Sequence, residues 1–210
     1  MLEKYLDSLL DLREEKTDVL FFDQKKEDRP IVHRSVALFV KQIVSMRNPD
    51  KILEIGMNAG YSAICFSECL KTSGKLDCIE YRKDHIEIAK KNFEKYKVSD
   101  KINVIQGRAE ELLIDKLKDK FYDIIFIDAD KKGYPLYIDY AIKHLNNKGI
   151  ILVDNLLWKG NIYSEDNWIK TKPSTITIKA FNEYFMKMEG FISQILPIGD
   201  GLGYAVKIWC

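Results

Sequence analysis

Apolar runs of strand length alternate with helix-like segments along most of this chain, and this alternation is the strongest constraint on its fold. Five runs have strand length, and several are rich in β-branched residues: Lys51–Ile55, Lys75–Glu80, Asn103–Gln106, Tyr122–Asp128 and Gly149–Asp154. Between them, apolar positions recur three and four residues apart, as in amphipathic helices: Tyr61–Lys71, Lys83–Tyr96, Ala109–Leu117 and Pro135–Leu145. Strand, helix, strand repeated in this way predicts an α/β fold, with a mostly parallel sheet and helices on both faces.

Further elements are predicted on either side of this alternation. Ahead of the first strand the sequence predicts two helices, Leu2–Arg13 and Arg34–Met46, and the charged stretch Asp23–Arg29 between them is interpreted as a solvated loop. We expect residues 1–48 to form a helical cap segment beside the active site. After the fifth strand, the sequence predicts a polar stretch, a helix and an antiparallel hairpin with a glycine-rich turn: Trp158–Ser174, Thr175–Met188, and Ile192–Ile198 with Tyr204–Trp209.

The length and composition indicate one globular domain over residues 1–210. Apolar residues make up 46% and charged residues 31% of the 210 positions, which suits a chain with a single large core. Lys and Arg total 33 against 32 Asp and Glu, so no global positive excess indicates a nucleic-acid partner. The first residues lack the pattern of an export signal, and no apolar run reaches the roughly 18 to 20 residues that span a membrane. The sequence therefore predicts a soluble cytoplasmic protein.

The four cysteines are interpreted as reduced thiols. They show no C-x-x-C spacing and accompany no histidine pair at the spacing of a zinc finger. Cys65 and Cys69 lie one helical turn apart, which would also allow a shared metal or a disulfide. Burial as small apolar side chains is the favoured interpretation.

A glycine-containing loop follows the first strand. Gly56 and Gly60 allow the backbone to turn sharply and approach a ligand before the next helix begins. Their G-x-x-x-G spacing differs from the G-x-G-x-x-G that holds a dinucleotide pyrophosphate, so it favours a nucleotide-like ligand without that group; an ordinary tight turn is the alternative. Glu80, at the end of the second strand, can accept hydrogen bonds from the hydroxyls of a ribose. Alternatively, Glu80 pairs with a neighbouring surface cation.

Acidic and amide side chains follow the fourth and fifth strands. Asp128, Asp154 and Asn155 offer three hard oxygen donors at neighbouring strand ends, a set that suits octahedral Mg²⁺. Helix capping or salt bridges are the alternatives for each of these motifs taken separately.

Several ordered motifs together resemble the cation-dependent O-methyltransferases, a family that includes catechol and caffeoyl-coenzyme A O-methyltransferases. The motifs that carry the resemblance are Glu54-Ile-Gly-Met-Asn-Ala-Gly-Tyr-Ser62, Phe126-Ile-Asp-Ala-Asp-Lys131, Val153-Asp-Asn-Leu-Leu-Trp158 and Pro197-Ile-Gly-Asp-Gly-Leu-Gly203. The resemblance implies a Rossmann-like methyltransferase sheet, S-adenosylmethionine as methyl donor, Mg²⁺ and a homodimer.

The resemblance also implies roles for individual residues. It makes Asp128, Asp154 and Asn155 the metal ligands and Lys131 the catalytic base. It places one further set of residues against S-adenosylmethionine: Val32, Glu54, Gly56, Ser62, Glu80, Arg108, Ala109 and Asp128. The chain departs from the commonest pattern of the family at Asn58, Ala59 and Arg108.

The acceptor predicted from these motifs is a ring hydroxyl of one of two kinds. Pro30-Ile-Val32, Asp154-Asn155 and Gly199-Asp-Gly-Leu202 resemble bacterial enzymes that methylate 5-hydroxyuridine, at the wobble position of transfer RNA. The Asp128-Ala-Asp-Lys131 motif instead resembles relatives that act on small catechols. A nicotinamide-dependent oxidoreductase and a catalytically silent cofactor-binding protein are the alternatives from other classes; the glycine spacing disfavours the first, and the retained Asp128, Lys131, Asp154 and Asn155 disfavour the second.

Overall fold

A computed structural model describes residues 2–12 and 15–208 of the chain. The helices are α1 Leu2–Leu10, α2 Asp18–Lys26, α3 Arg34–Arg47, α4 Tyr61–Cys69, α5 Lys83–Tyr96, α6 Ala109–Ile114, α7 Tyr134–His144, α8 Asn167–Lys170 and α9 Pro173–Met186, with a 3₁₀ helix over Trp158–Tyr163. The strands are β1 Lys51–Ile55, β2 Lys75–Glu80, β3 Ile102–Gln106, β4 Tyr122–Ile127, β5 Leu145–Val153, β6 Phe191–Leu196 and β7 Leu202–Lys207.

The strands form one mixed sheet in the order β3-β2-β1-β4-β5-β7-β6. The first five pair in parallel, whereas β7 pairs antiparallel with both β5 and β6. The predicted α/β class, the mostly parallel sheet and the antiparallel hairpin are therefore confirmed.

Both faces of the sheet are covered, and successive residues of a strand point to opposite faces. Ile124 and Phe126 of β4 belong to a core cluster with residues of α3, α4 and α5. Their neighbours Ile125 and Ile127 belong to a second cluster with residues of α6, α7 and α9. All six residues of β4 are buried, which explains why this strand reads as a continuous apolar run.

The segment before β1 differs from its prediction, because it contains three helices within the described residues. Helix α2 includes the first four residues of the charged stretch Asp23–Arg29, whose prediction as a loop is wrong there. Leu20, Phe21 and Gln24 are buried against the rest of the protein, so tertiary packing favours a helix that has little helical periodicity. Arg13, the predicted end of the first helix, lies outside the described residues.

The predicted polar stretch Trp158–Ser174 contains the 3₁₀ helix and α8, and the other differences are shifts of a few residues at element ends. Helix α9 begins at Pro173 rather than Thr175, and β5 begins at Leu145 rather than Gly149. Trp209, the predicted end of the hairpin, and Cys210 lie outside the described residues. Three cysteines are free thiols, as predicted: Cys65, Cys69 and Cys78. Among the described residues, every helix is too short or too polar to cross a lipid bilayer.

Candidate functional site

The carboxyl ends of the parallel strands finish level with one another. Ile55 of β1 is in register with Ile79 of β2 and Ile127 of β4, and Ile127 is in register with Val153 of β5. The residues that follow continue this alignment. The backbone N–H of Asp128 donates to Ile55 (2.9 Å) and that of Asp154 donates to Ile127 (3.0 Å). The predicted site residues after β1, β4 and β5 therefore lie along one edge of the sheet.

The loop after β1 requires glycine at its first position. Gly56 has φ +96°, and its N–H donates to the Ile79 carbonyl at 3.1 Å. A Cβ on Gly56 would overlap the carbonyl oxygen of Asp128 and lie 2.8 Å from the carbonyl carbon. This contact brings the backbone of the glycine loop directly against the backbone of Asp128.

Glu80 is held in a fixed orientation by backbone donors. One of its carboxylate oxygens accepts from the N–H groups of Tyr81 and Arg82, and the other accepts from Asn58, each at 2.9 Å. Glu80 is therefore not a simple surface partner of Arg82, whose guanidinium binds Asp84 instead. The carboxylate is oriented beside the glycine loop, where its remaining lone pairs can accept from a ligand.

Asn58 links this loop to the segment before β1. Its side-chain Nδ2 donates to the Pro30 carbonyl at 2.7 Å, which fixes which end of the amide is nitrogen. The Oδ1 atom is buried without a hydrogen-bond partner among the described residues. A buried acceptor of this kind favours a polar ligand that supplies a donor.

A second buried carboxyl group lies behind this loop. Glu54 is fully buried in β1, where Ser62 Oγ donates to one of its oxygens and Cys78 Sγ lies 3.2 Å from the other. Burial raises the pKa of Glu54 to about 8, because the hydrogen bonds from Ser62 and Cys78 only partly offset desolvation. Glu54 fixes the hydroxyl of Ser62, a residue that the resemblance places against the methyl donor.

The raised pKa of Glu54 predicts a loss of stability as pH rises. The folded state holds the proton up to about pH 8, whereas the unfolded chain releases it near 4.5. The contribution is therefore fully present below pH 4.5 and is lost as pH rises through 8, by ~5 kcal/mol in all. We expect Glu54→Gln to remove the part of the decline in the free energy of unfolding that the ionisation of Glu54 causes. Urea unfolding at pH 5.5 and 8.5 measures the part of this loss that falls between the two pH values, ~3 kcal/mol. The exposed control Glu94→Gln should keep the full decline, and an equal decline in Glu54→Gln would contradict the assignment.

The other residues expected to contact the methyl donor lie further along the same edge or behind it. Arg108 precedes α6 beyond β3, and its guanidinium lies 6.0 Å from the centroid of the Tyr81 ring. Ala109 begins α6 and is buried. Val32 is buried in the core cluster that contains α3, next to the Pro30 carbonyl that binds Asn58.

Asp128, Asp154 and Asn155 lie together at the ends of β4 and β5. Asp154 is buried, and burial together with the charge of Asp128 raises its pKa to about 7. Burial also raises the pKa of Asp128, against the opposing charge of Lys131. Asn155 has φ +64°, and its N–H donates to Asp154 Oδ1 at 2.8 Å. Two carboxyl groups and one amide oxygen thus lie together in a place where burial opposes the ionisation of both carboxyl groups.

Lys131 reaches into this acidic group. Its Nζ donates to Asn155 Oδ1 at 2.9 Å, to the Ala129 carbonyl at 3.4 Å and to the hydroxyl of Tyr134. Burial lowers the pKa of Lys131, although the carboxylates around it act in the opposite direction. The amine that the family resemblance makes the catalytic base therefore lies next to the acidic residues, and its role stays a prediction.

Two further aspartates near the site have roles that the sequence did not reveal. Asp130 binds the Gly133 N–H at 3.0 Å and the Tyr137 hydroxyl at 2.9 Å, so it fixes the start of α7. Asp200, in the hairpin turn, accepts from the Lys159 N–H at 2.6 Å, and its charge acts on both Asp154 and Lys131. Asp200 lies in a motif that carried the family resemblance, but no role of its own was predicted for this aspartate from the sequence.

The acidic group fits a hard divalent cation. No cluster of three or more His, Cys, Asp and Glu side chains suited to a metal occurs among residues 2–12 and 15–208. The proposed ligands here are instead two carboxylates and one amide oxygen, that of Asn155, which is not one of these four residue types. Burial opposes the ionisation of both Asp128 and Asp154, the charge of Asp128 adds to this effect at Asp154, and a cation would relieve both effects. Carboxylate and amide oxygens are donors that Mg²⁺ accepts.

Comparison with known proteins gives a consistent result. Residues 6–208 match the profile of a family described as O-methyltransferase. A caffeoyl-CoA O-methyltransferase of Populus kitakamiensis is 32% identical over 173 residues, covering 78% of this chain and 72% of the relative. A catechol O-methyltransferase of Niastella koreensis is 29% identical over 175 residues, covering 81% and 78%. The crystal structure of an O-methyltransferase from Bacillus cereus in complex with SAH has a TM-score of 0.83 and 25% identity, covering 98% of this chain and 96% of that one.

Proposed function

Since the chain belongs to the O-methyltransferase family and is an S-adenosylmethionine-dependent O-methyltransferase, we propose that it methylates a ring hydroxyl of a small catechol-type acceptor with the help of Mg²⁺. Family membership decides against the nicotinamide-dependent oxidoreductase. The observation that carries the proposal is the group formed by Asp128, Asp154, Asn155 and Lys131, because it places oxygen donors for a cation next to an amine.

The methyl donor is proposed to lie along the edge from β3 to β4. The oriented carboxylate of Glu80 would accept from the ribose hydroxyls, and the unpartnered Asn58 Oδ1 lies beside it. Gly56 and Ser62 would contact the donor from the glycine loop and the start of α4, with Glu54 holding the Ser62 hydroxyl. Val32, Arg108, Ala109 and Asp128 complete the proposed set.

The metal and the base are proposed to act at the other end of this edge. Asp128, Asp154 and Asn155 would hold Mg²⁺, whose charge favours the ionised form of an acceptor hydroxyl. Lys131 Nζ would take the hydroxyl proton, and its burial favours the neutral amine that this role requires. The acceptor oxygen then bonds to the methyl carbon while the bond from carbon to sulfur breaks, and the sulfur keeps the electron pair as S-adenosylhomocysteine.

The choice of a small acceptor rests on the relatives and on the loop after β5. The relatives are a catechol and a caffeoyl-CoA O-methyltransferase, and neither is a transfer RNA enzyme. Trp158 lies in that loop, with its ring centroid 6.0 Å from Lys131 Nζ, where an indole can pack against a planar acceptor. The 5-hydroxyuridine of transfer RNA is the second candidate acceptor. Lys172 and the exposed Trp168, which follow Trp158 along the chain, form a cation–π pair, and an exposed aromatic ring beside a cation can stack on a base.

Labelled S-adenosylmethionine separates the two acceptors. We expect label to enter members of a catechol panel in the presence of Mg²⁺, with a KM that changes little between 50 and 200 mM salt. Transfer to undermodified transfer RNA, with KM rising on the order of a hundredfold or more over that range, would overturn the proposed acceptor. Lys131→Ala should lower kcat for a catechol roughly a hundredfold or more if Lys131 is the base.

A homodimer is a further part of the proposal. Tyr5, Leu6, Leu9 and Leu12, in and just after α1, are large apolar side chains that are exposed in the single chain. An exposed group of this kind is typical of a surface that another protein covers. Sedimentation equilibrium should give twice the mass of the 24.5 kDa chain, and Leu9→Glu should shift the protein toward the monomer.

A further inference from the structure

We propose that Tyr134 is a positioning residue that holds the amine of Lys131 toward the acceptor and ties it to the end of β5. The inference rests on the proposed role of Lys131 as the base. It concerns a side chain that touches neither the methyl donor nor the acceptor in this arrangement, because Tyr134 is fully buried.

The Tyr134 hydroxyl uses both of its hydrogen-bonding functions within the site. It donates to the backbone carbonyl of Asp154 at 2.8 Å and accepts from Lys131 Nζ. A hydroxyl whose hydrogen is committed to a carbonyl presents its lone pairs elsewhere, here to the lysine. The same contact therefore connects the proposed base with the backbone of a proposed metal ligand.

The Tyr134 ring adds a second constraint on the lysine. Lys131 Nζ lies 4.6 Å from the ring centroid, and the ring itself packs against Phe181 of α9, with centroids 5.1 Å apart. The Tyr134 ring has little freedom to move, because this first residue of α7 is fully buried against α9. A lysine has four flexible side-chain bonds, so a rigid partner reduces the number of positions that its amine can occupy.

Without the Tyr134 hydroxyl, Lys131 retains two acceptors. These are Asn155 Oδ1 at 2.9 Å and the more distant Ala129 carbonyl at 3.4 Å. Asn155 is a proposed metal ligand, so its Oδ1 is needed for another purpose when Mg²⁺ is bound. Tyr134 is then the partner that can keep the amine in place.

Tyr137 provides a matched control one turn along the same helix. It is buried like Tyr134, and its hydroxyl also makes a hydrogen bond, but to Asp130 at 2.9 Å rather than to Lys131. Tyr134→Phe and Tyr137→Phe therefore remove the same atom from the same helix. Only the first removes a contact to the proposed base.

A double-mutant cycle of Tyr134→Phe and Lys131→Ala tests the inference, with a catechol as acceptor. In the native background we expect Tyr134→Phe to lower kcat roughly 10- to 100-fold, with KM for S-adenosylmethionine and for the catechol unchanged within about twofold. Tyr137→Phe should stay within about threefold of the native kcat, because Asp130 still binds the Gly133 N–H at the start of α7. In the Lys131→Ala background, Tyr134→Phe should change the residual kcat by less than about twofold.

Each other outcome overturns the inference. An equal loss of kcat in both backgrounds would mean that Tyr134 acts independently of Lys131, and an equal loss from Tyr137→Phe would mean that the effect is structural. If Lys131→Ala alone kept the native kcat, the proposal that Lys131 is the base would be wrong. The cycle distinguishes that result from one in which Lys131 is the base but Tyr134 does not position it. Calorimetric titration with S-adenosylmethionine should give the native affinity for both Phe variants, which shows that they are folded.

Discussion

Replacing Asp154 by Asn is expected to reduce methyl transfer to a catechol by on the order of a thousandfold or more while leaving the binding of S-adenosylmethionine intact. The amide keeps the shape of the side chain but removes the negative charge that a divalent cation needs. Most of the proposed donor residues follow β1, β2 and β3, and Asp128, which belongs to both proposed sets, is left unchanged by the substitution. Methyl transfer is measured while Mg²⁺ is titrated from zero to millimolar concentration. The binding of S-adenosylmethionine is measured by calorimetry.

The same substitution should not weaken the fold above neutral pH. Burial and the charge of Asp128 raise the pKa of Asp154 to about 7, so the folded state is stabilised at low pH and loses that contribution as pH rises through 7. Asn carries no such penalty, and we expect Asp154→Asn to be at least as stable as the native protein at pH 8. Exposed Asp139 on α7 gives the matched control, because Asp139→Asn should retain native turnover. Native turnover in Asp154→Asn would remove the metal from the proposal.

Gly56→Ala is expected to lower the free energy of unfolding by ~3 kcal/mol or more and to abolish transfer. The added methyl group would occupy the space of the Asp128 carbonyl oxygen, and the backbone at φ +96° also disfavours alanine. The ends of β1 and β4 would have to separate, which displaces Asp128 from its neighbours. Urea unfolding and donor binding by calorimetry should both report the change.

Gly190→Ala separates the steric clash from the backbone strain. Gly190 has a similar φ of +77°, but an added Cβ there would meet no atom within 4 Å. We expect a loss of about 1 kcal/mol and native kcat for this variant. Equal destabilisation by the two substitutions would show that the close approach of Gly56 to Asp128 is unimportant.

The sequence predicted the central sheet well, because its strands carry a strong and simple signal. The buried run of β4 and the acidic residue after it could belong to few structures other than a covered parallel strand. Helix α2 was missed for the opposite reason. Its charged second half resembles a loop, and what makes it a helix is packing that includes the buried Gln24, whose side chain reaches the Ala59 carbonyl at 3.4 Å. Contacts between residues so distant in the chain leave little trace in local periodicity.

The residues of the site were likewise predicted only in part from the sequence. Level strand ends bring Asp128, Asp154 and Asn155 together, so a prediction from strand order alone could group them. The sequence predicted Asp128 rather than Asp130 as a ligand, but only the structure shows that Asp130 fixes the start of α7. The sequence could not identify Tyr134 as a neighbour of Lys131, because that contact depends on where α7 begins. Side-chain direction, rather than residue type, was the missing information.

The hairpin turn implies an order in which this protein acquires its active site during synthesis. β7 follows β6 along the chain, yet it is inserted between β5 and β6, and the backbone of Asp200 and Gly201 binds the N–H groups of Leu157 and Leu156. A nascent chain that has not reached β7 leaves one edge of β5 unpaired and the loop after it without these acceptors. The loop that carries Asn155 can therefore reach its final hydrogen bonds only after the last strand of the chain has joined the sheet.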